Sequence, residues 1–302
     1  MEAFYRILGI ILPVLAIVAV GYGYARLRGA SVRTDMVAVN RVSMEVLCPF
    51  LMFTALAAKD FDVAHNGLLI VAAVVVSLGS ALLAWPVARM FGYDVRTFVP
   101  PMLYNNCGNM GLPLSMLAFG PSSLSAAAAL WVTSNAVYFS AGIKIVEIGK
   151  HGRRSSFRAF ITSPMMLATI AGFLFSLAHI TVPPMLFQPL KMIGDACIPL
   201  MLFALGVRMR EVTFKSWQIG LVGAVVCPVT GLIVAWLLDS LFQLTPLQRG
   251  QLYLFASLPP AVFCFMIAEQ YNQEPDKVAS IVMLGNVASL VFVPIGLWLG
   301  LP

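Results

Sequence analysis

Ten consecutive residues, Tyr104-Asn105-Asn106-Cys107-Gly108-Asn109-Met110-Gly111-Leu112-Pro113, place three asparagines, two glycines and a proline inside an otherwise apolar stretch. Asparagine amides donate and accept hydrogen bonds without carrying charge. Glycine and proline are the residues a continuous helix tolerates least. A second interruption, Leu258-Pro259-Pro260-Ala261, sets two prolines side by side and removes two backbone donors. A helix broken in this way presents free N–H groups and partial positive charge at the start of its second half, which favours an anion, typically a carboxylate. The candidate substrate-binding set is therefore Asn105, Asn106, Gly108, Asn109, Gly111, Pro113, Pro259 and Pro260, joined by Asn135 and Asn286 on other apolar stretches. The last two, each following a small residue, can bond to the freed backbone or act as polar glue between helices. Glu45 and Asp195 also lie within apolar stretches, where a carboxylate is a candidate proton or ion carrier. Arg41 and Lys191, four residues before them on the same helix face, make a structural ion pair the alternative.

Composition dictates what must position these groups. The chain has 302 residues, 60% hydrophobic and 11% charged, against about 25% charged in a soluble domain. With a mean hydropathy of +0.90, it cannot cover a soluble fold with polar surface, and a disordered chain is excluded as well. The net charge of +6 would suggest nucleic acid only on a soluble fold with a basic patch. The five cysteines lie in apolar stretches, form no CxxC and are odd in number, so neither a disulfide framework nor a zinc site is expected. His65, His151 and His179 are too scattered for a metal cluster. The sequence has no H-E-x-x-H, no G-x-S-x-G elbow, no paired-aspartate protease signature and no P-loop. An enzyme is not expected, and no cofactor beyond a possible coupling proton or sodium ion. A channel or ligand-sensing receptor is the alternative to a carrier.

A membrane-spanning helix needs about 20 predominantly apolar residues. Ten such segments are expected, at 3–25, 36–58, 67–91, 97–119, 122–146, 159–180, 185–207, 217–242, 247–269 and 277–300. The first reads as a span and not as a cleavable leader. Fifteen of the 19 Lys and Arg fall on one side: Arg26, Arg28, Arg33 and Arg41; Arg89 and Arg96; Lys144, Lys150, Arg153, Arg154 and Arg158; Arg208, Arg210 and Lys215; and Lys277. Arg6, Lys59, Lys191 and Arg249 fall on the other. Basic links stay in the cytoplasm, so both termini are expected outside, in a multi-pass protein of the cytoplasmic (inner) membrane.

Residues 1–151 and 152–302 read as two repeats. At this offset Pro13 pairs with Pro164, Gly21 with Gly172, Ala84-Trp85 with Ala235-Trp236, and Asn135 with Asn286. The pattern Arg41-x3-Glu45-x3-Pro49-x3-Phe53 returns as Lys191-x3-Asp195-x3-Pro199-x3-Phe203. Five spans per half is an odd number, so the second half enters from the opposite side and the repeat is inverted. Inverted repeats with broken helices in matching positions are the architecture of secondary transporters.

These residues resemble the auxin efflux carrier family, in the form of its bacterial carriers of malonate, malate and related acids. The resemblance rests on Leu258-Pro259-Pro260-Ala261 through Phe265, on Ala268-Glu269-Gln270-Tyr271-Asn272 with Pro275-Asp276, on Asn105 through Pro113, and on Cys48-Pro49-Phe50-Leu51. It implies an all-α membrane fold like that of bile-acid symporters, with broken crossover helices in spans 4 and 9. Spans 1, 2, 6 and 7 would form a scaffold and homodimer surface. Spans 3–5 and 8–10 would form a transport domain that moves as an elevator. The family's carboxylate-contacting crossover asparagine falls on Asn106. Plant members differ: proline replaces Asn105, glutamine replaces Pro260, proline replaces Cys264, no acid matches Glu45, and their central loop is long. Those departures point away from auxin and toward a small organic acid.

Overall fold

The computed structural model describes residues 2–29, 32–57, 63–148, 162–209 and 216–301. Lys59, Lys150, His151, Arg153, Arg154, Arg158, Arg210 and Lys215 lie outside the described residues. The helices run in the order α1 (Glu2–Arg28), α2 (Val32–Val42), α3 (Cys48–Leu56), α4 (Val63–Met90), α5 (Val95–Leu103), α6 (Leu112–Phe119), α7 (Leu124–Val137) and α8 (Ile143–Glu147). They continue with α9 (Pro164–Leu177), α10 (Pro184–Asp195), α11 (Cys197–Met209), α12 (Trp217–Leu241), α13 (Pro246–Ser257), α14 (Phe263–Gln270) and α15 (Pro275–Gly300). Wider π-helical turns occupy Ser43–Leu47, Cys107–Gly111 and Tyr138–Gly142. Among the described residues the protein is all helical, with one isolated β-bridge. Five stretches there are long and apolar enough to cross a membrane: Gly67–Met90, Pro121–Glu147, Pro184–Val207, Trp217–Leu241 and Pro275–Gly300.

Proline sets many of the boundaries. Pro164, Pro184, Pro246 and Pro275 each open a helix, where the missing N–H costs nothing. Thr245 and Gln248 close a reciprocal capping box at the start of α13, and the Ser163 hydroxyl caps α9. Inside a helix, proline cannot donate to the carbonyl four residues back, and its ring crowds that group. Four residues before Pro49 is Glu45, within the turn Ser43–Leu47, and the Cys48 N–H reaches back to the Ser43 carbonyl instead. Four residues before Pro199 is Asp195, where α10 ends.

The chain divides into two compact units. The first contains Met1–Asn66, Leu112–Ala129 and Arg158–Glu211; the second contains Gly67–Gly111, Leu130–Phe157 and Val212–Pro302. In the first, α1 packs on α11, and α3 packs on α9 and α10. Backbones touch at these crossings. A Cβ on Gly21 would lie 2.1 Å from the Phe203 carbonyl oxygen, and one on Gly172 would lie 2.9 Å from the Phe53 carbonyl oxygen. Such close approach is the usual role of small residues between membrane helices. The free thiols of Cys48 and Cys197, both fully buried, meet at 2.9 Å.

In the second unit, α12 and α13 pack on α15. The interior is apolar and aromatic, with Phe98, Met102, Leu103, Tyr138 and Ile281 among its buried residues. Tyr104 stacks on Tyr138 at 4.6 Å between centroids. The outside is equally apolar. Leu68, Val71, Val75, Leu78 and Leu82 form an exposed stripe at helical spacing on α4, and Trp236 and Trp298 are exposed on α12 and α15. Water would penalise such a surface, whereas hydrocarbon accepts it.

Candidate functional site

The site lies in the second unit, where two helices unwind against each other. Helix α5 ends at Leu103 and α13 at Ser257. Tyr104 and Leu258, the next residues, are extended; Pro259 disfavours helical backbone at Leu258. Helical structure resumes at Cys107 and at Phe263. The two unwound segments pair as an antiparallel bridge between Asn105 and Pro260. The Asn106 N–H donates to the Pro259 carbonyl at 2.7 Å, and the Ala261 N–H donates to the Tyr104 carbonyl at 2.8 Å. Each segment thus supplies the backbone partners the other has lost, the condition on which non-helical backbone is tolerated at membrane depth. Four helix ends meet at this bridge: the C-termini of α5 and α13, with partial negative charge, and the N-termini at Cys107 and Phe263, with partial positive charge.

Side chains build a polar network around the bridge. Asn106, 2% exposed, donates through Nδ2 to Asn286 Oδ1 at 3.3 Å. Asn286 Nδ2 donates to the Val282 carbonyl at 2.7 Å. Asn135 does the same one repeat earlier, with Nδ2 on the Trp131 carbonyl at 2.7 Å. Its Oδ1 accepts from the Tyr104 hydroxyl at 2.7 Å. Asn105 Nδ2 donates to the Phe255 carbonyl at 2.5 Å. Gly108 and Asn109 are only partly buried, whereas Asn105, Asn106 and Cys107 before them are buried. Added Cβ atoms at Gly108 and Gly111 would meet Trp131 Nε1 at 3.0 Å and Leu258 Cδ1 at 2.9 Å. Pro113 is buried one residue into α6, which belongs to the first unit. Asn105, Asn106, Asn286, Pro259 and Pro260 therefore come together, with Asn135 tied in through Tyr104.

Glu45 and Asp195 belong to the first unit, apart from this network. Glu45 is exposed on its π-helical turn. Asp195 binds Lys191 Nζ at 2.6 Å, each side chain being about 40% exposed (41% and 37%). That pair lines a cavity of about 160 Å³ together with Thr54, Ser122 and Ser125.

A third polar group joins the start of α5 to the start of α15. Arg96 forks onto Asp94, with contacts of 2.6 to 3.2 Å. Gln273 Nε2 donates to Asp94 Oδ2 and Thr97 Oγ1, both at 3.0 Å. Thr97 donates to Glu274 at 2.6 Å, and Glu274 also pairs with Lys277. Glu274 is held at φ +43°, a conformation side chains rarely adopt. The Arg96 guanidinium holds the Asp94 carboxyl down at about 2, against its ordinary value near 4. By position in the sequence, Arg96 and Lys277 are only topology charges. Nothing local marks Thr97 and Gln273 as partners, because they are 176 residues apart.

Comparison with known proteins places these features. The family described as membrane transport protein matches residues 146–297. An uncharacterised transporter of Methanothermobacter thermautotrophicus is 25% identical over 296 residues, covering 94% of this chain and 95% of its own. A Rhizobium meliloti protein named "Putative malonate transporter" is 22% identical, covering 95% and 94%. An uncharacterised transporter of Methanocaldococcus jannaschii is 20% identical, covering 96% and 97%. With the second broken helix and both asparagine-bearing ends of its network inside or paired with the matched region, this chain belongs to the membrane transport protein family, the auxin efflux carriers.

Proposed function

We propose that the protein is a secondary active carrier of a small organic anion, binding a carboxylate at the crossing of the two broken helices. The observation that carries this reading is the Asn105–Pro260 bridge. It brings two half-helix N-termini to one place without any fixed positive charge. A carboxylate there would be met by the Gly108 and Asn109 amides, with Gly108 and Gly111 leaving room for backbone to approach; the Cys264 and Phe265 N–H groups already donate to the Ala261 and Val262 carbonyls, so the second half-helix would contribute its dipole. The amides of Asn106 and Asn109 would add donors, and Asn135 and Asn286 would hold the donors in position. Pro113, Pro259 and Pro260 keep the breaks open. Asn105 turns Nδ2 to the Phe255 carbonyl and leaves an acceptor, Oδ1, unpaired, so we leave it out of the anion contacts.

The architecture proposed is ten spans in two inverted repeats of five, 1–151 and 152–302. Paired contacts support it. Gly21 meets Phe203 while Gly172 meets Phe53, which is one contact repeated after exchange of halves. The back-bonds of Asn135 to Trp131 and Asn286 to Val282 repeat at the same offset. Transport would proceed by alternating access, one unit carrying the anion past the other as an elevator. The scaffold would be built from spans 1, 2, 6 and 7 and would form a homodimer. Both termini would face outward across the inner membrane. Glu45 and Asp195 are the carboxylates a coupling proton could use. Asp195 already has its charge compensated by Lys191, which makes Glu45 the stronger of the two. The relative bearing a malonate name makes malonate the first substrate to test.

Purified protein in liposomes is expected to take up labelled malonate or a similar small carboxylate against an exchange gradient. Asn106→Ala should weaken carboxylate binding tenfold or more, since a hydrogen bond to a charged group contributes about 1.5–3 kcal/mol. Uptake and binding unchanged in that variant would overturn the site.

A further inference from the structure

The thiols of Cys48 and Cys197 take no part in the carrier reading, yet their sulfurs lie 2.9 Å apart although 149 positions separate them in sequence. Nothing in the spacing of the five cysteines marks these two as partners. Both side chains are 0% exposed, and both belong to the first unit. Cys227 and Cys264, in the second unit, contact backbone carbonyls instead, at 3.8 to 4.0 Å. A disulfide bond is about 2.05 Å long. The Cys48 and Cys197 sulfurs would have to close by only about 0.9 Å to be joined.

Backbone packing holds the pair together. Cys48 opens α3, directly before Pro49, and Cys197 opens α11, two residues after α10 ends at Asp195. One helical turn from each, Gly194 sits against the backbone of Leu51. A Cβ added to Gly194 would lie 2.8 Å from the Leu51 nitrogen and Cα. The missing side chain therefore lets the junction of α10 and α11 press onto α3, and that approach brings the thiols into contact. A cavity of about 160 Å³ has Leu51, Thr54 and Asp195 in its lining, so it comes within a turn of both cysteines along the chain. It is the size of about five waters, enough for a small neutral molecule.

We infer that Cys48 and Cys197 are a redox pair, oxidised by a small hydroperoxide to a disulfide that staples α3 to α11. One sulfur attacks a peroxide oxygen, the O–O bond breaks, and an alcohol leaves with that thiol's proton. The sulfenic acid so formed is attacked by the second sulfur. Its S–O bond breaks, and water leaves with the second thiol's proton. Two thiols and one hydroperoxide become one disulfide, one alcohol and one water, and the two electrons given up by sulfur reduce the peroxide. Burial slows thiol chemistry, so the pair answers sustained oxidant and not a brief pulse. The same burial keeps charged thiolate reductants out, and the bond persists while the protein is folded. A cross-link between residues 149 positions apart restricts the unfolded chain, so the oxidised protein is the more stable form. None of this depends on the anion site.

The test uses the full chain in detergent micelles, purified under a reductant. The folded protein is freed of reductant and treated with tert-butyl hydroperoxide, then unfolded in N-ethylmaleimide and mapped by mass spectrometry. The untreated wild type is expected to take up five maleimides, one for each free cysteine. The oxidised wild type should take up three and yield a cross-linked peptide joining Cys48 to Cys197. It should also unfold several degrees higher than the reduced form, and glutathione should restore the thiols only after unfolding. Cys48→Ala and Cys197→Ala should each take up four maleimides with or without oxidant and show no rise in Tm, whereas Cys227→Ala should go from four to two. Five maleimides on the oxidised wild type, a cross-link to any other cysteine, or a sulfinic acid without a cross-link overturns the inference. A cross-link that leaves Tm unchanged, or that glutathione reduces in the folded protein, overturns the staple.

Discussion

Asn286 and Asn106 share one side-chain hydrogen bond across 180 residues of sequence, and its consequences belong to single residues. Truncating Asn286 leaves the Asn106 Nδ2 buried and unpaired, a loss of about 1–3 kcal/mol. Asn286→Ala is therefore expected to lower Tm as well as anion affinity, whereas Asn109→Ala, at a partly buried position, should lower affinity alone. Thermal shift with and without malonate separates the two. Asp94 supplies a pH prediction. Its carboxyl is held at about 2 by Arg96 and sits near 4 when unfolded. A depressed carboxylate contributes stability above the unfolded value and loses it as pH falls through the folded one. The Asp94–Arg96–Gln273 cluster should hold at pH 5 and weaken progressively from about 4 toward 2. Asp94→Asn should remove that part of the pH dependence. Asp94 is partly exposed, so the effect is a modest one.

At the scale of elements, the helices are placed by hydrophobicity and bent by proline. The chain widens to a π-helical turn at Glu45, and α10 ends at Asp195, because Pro49 and Pro199 each lie four residues later. The helix crossings depend on absent side chains. Gly21→Ala would push a methyl to 2.1 Å from the Phe203 carbonyl, forcing α1 from α11. An overpacking cost of about 1–3 kcal/mol is expected, read as a drop in Tm of the detergent-solubilised protein. Gly172→Ala, with 2.9 Å available, should cost less. Equal effects would mean that the two crossings do not tighten around these glycines.

At the scale of the whole molecule, orientation and coupling are the testable properties. A phosphatase fused after Pro302 should be active only if that end lies outside, as the basic links require. An expressed but inactive fusion would reverse the topology. If a proton rides on Glu45, Glu45→Gln should abolish uptake driven by a pH gradient and spare counterflow of substrate. Asp195→Asn should chiefly release Lys191, and its cost should appear as lost folded protein.

The sequence alone was enough to identify a membrane protein, because 60% hydrophobic residues with 11% charged leave no other solvent. It also located both helix breaks, since glycine, asparagine and proline act on backbone within a turn of themselves. It singled out Asn106, Asn135 and Asn286 because amides are rare in apolar stretches. Only the tertiary structure decided that the two breaks pair at Asn105 and Pro260, that Asn105 lines a small cavity with Ser77 and Ser80, and that Cys48 meets Cys197. Breaking a helix is a local event set by a few neighbouring residues. Which broken ends meet is set by packing between segments about 150 residues apart, and no local pattern carries that information.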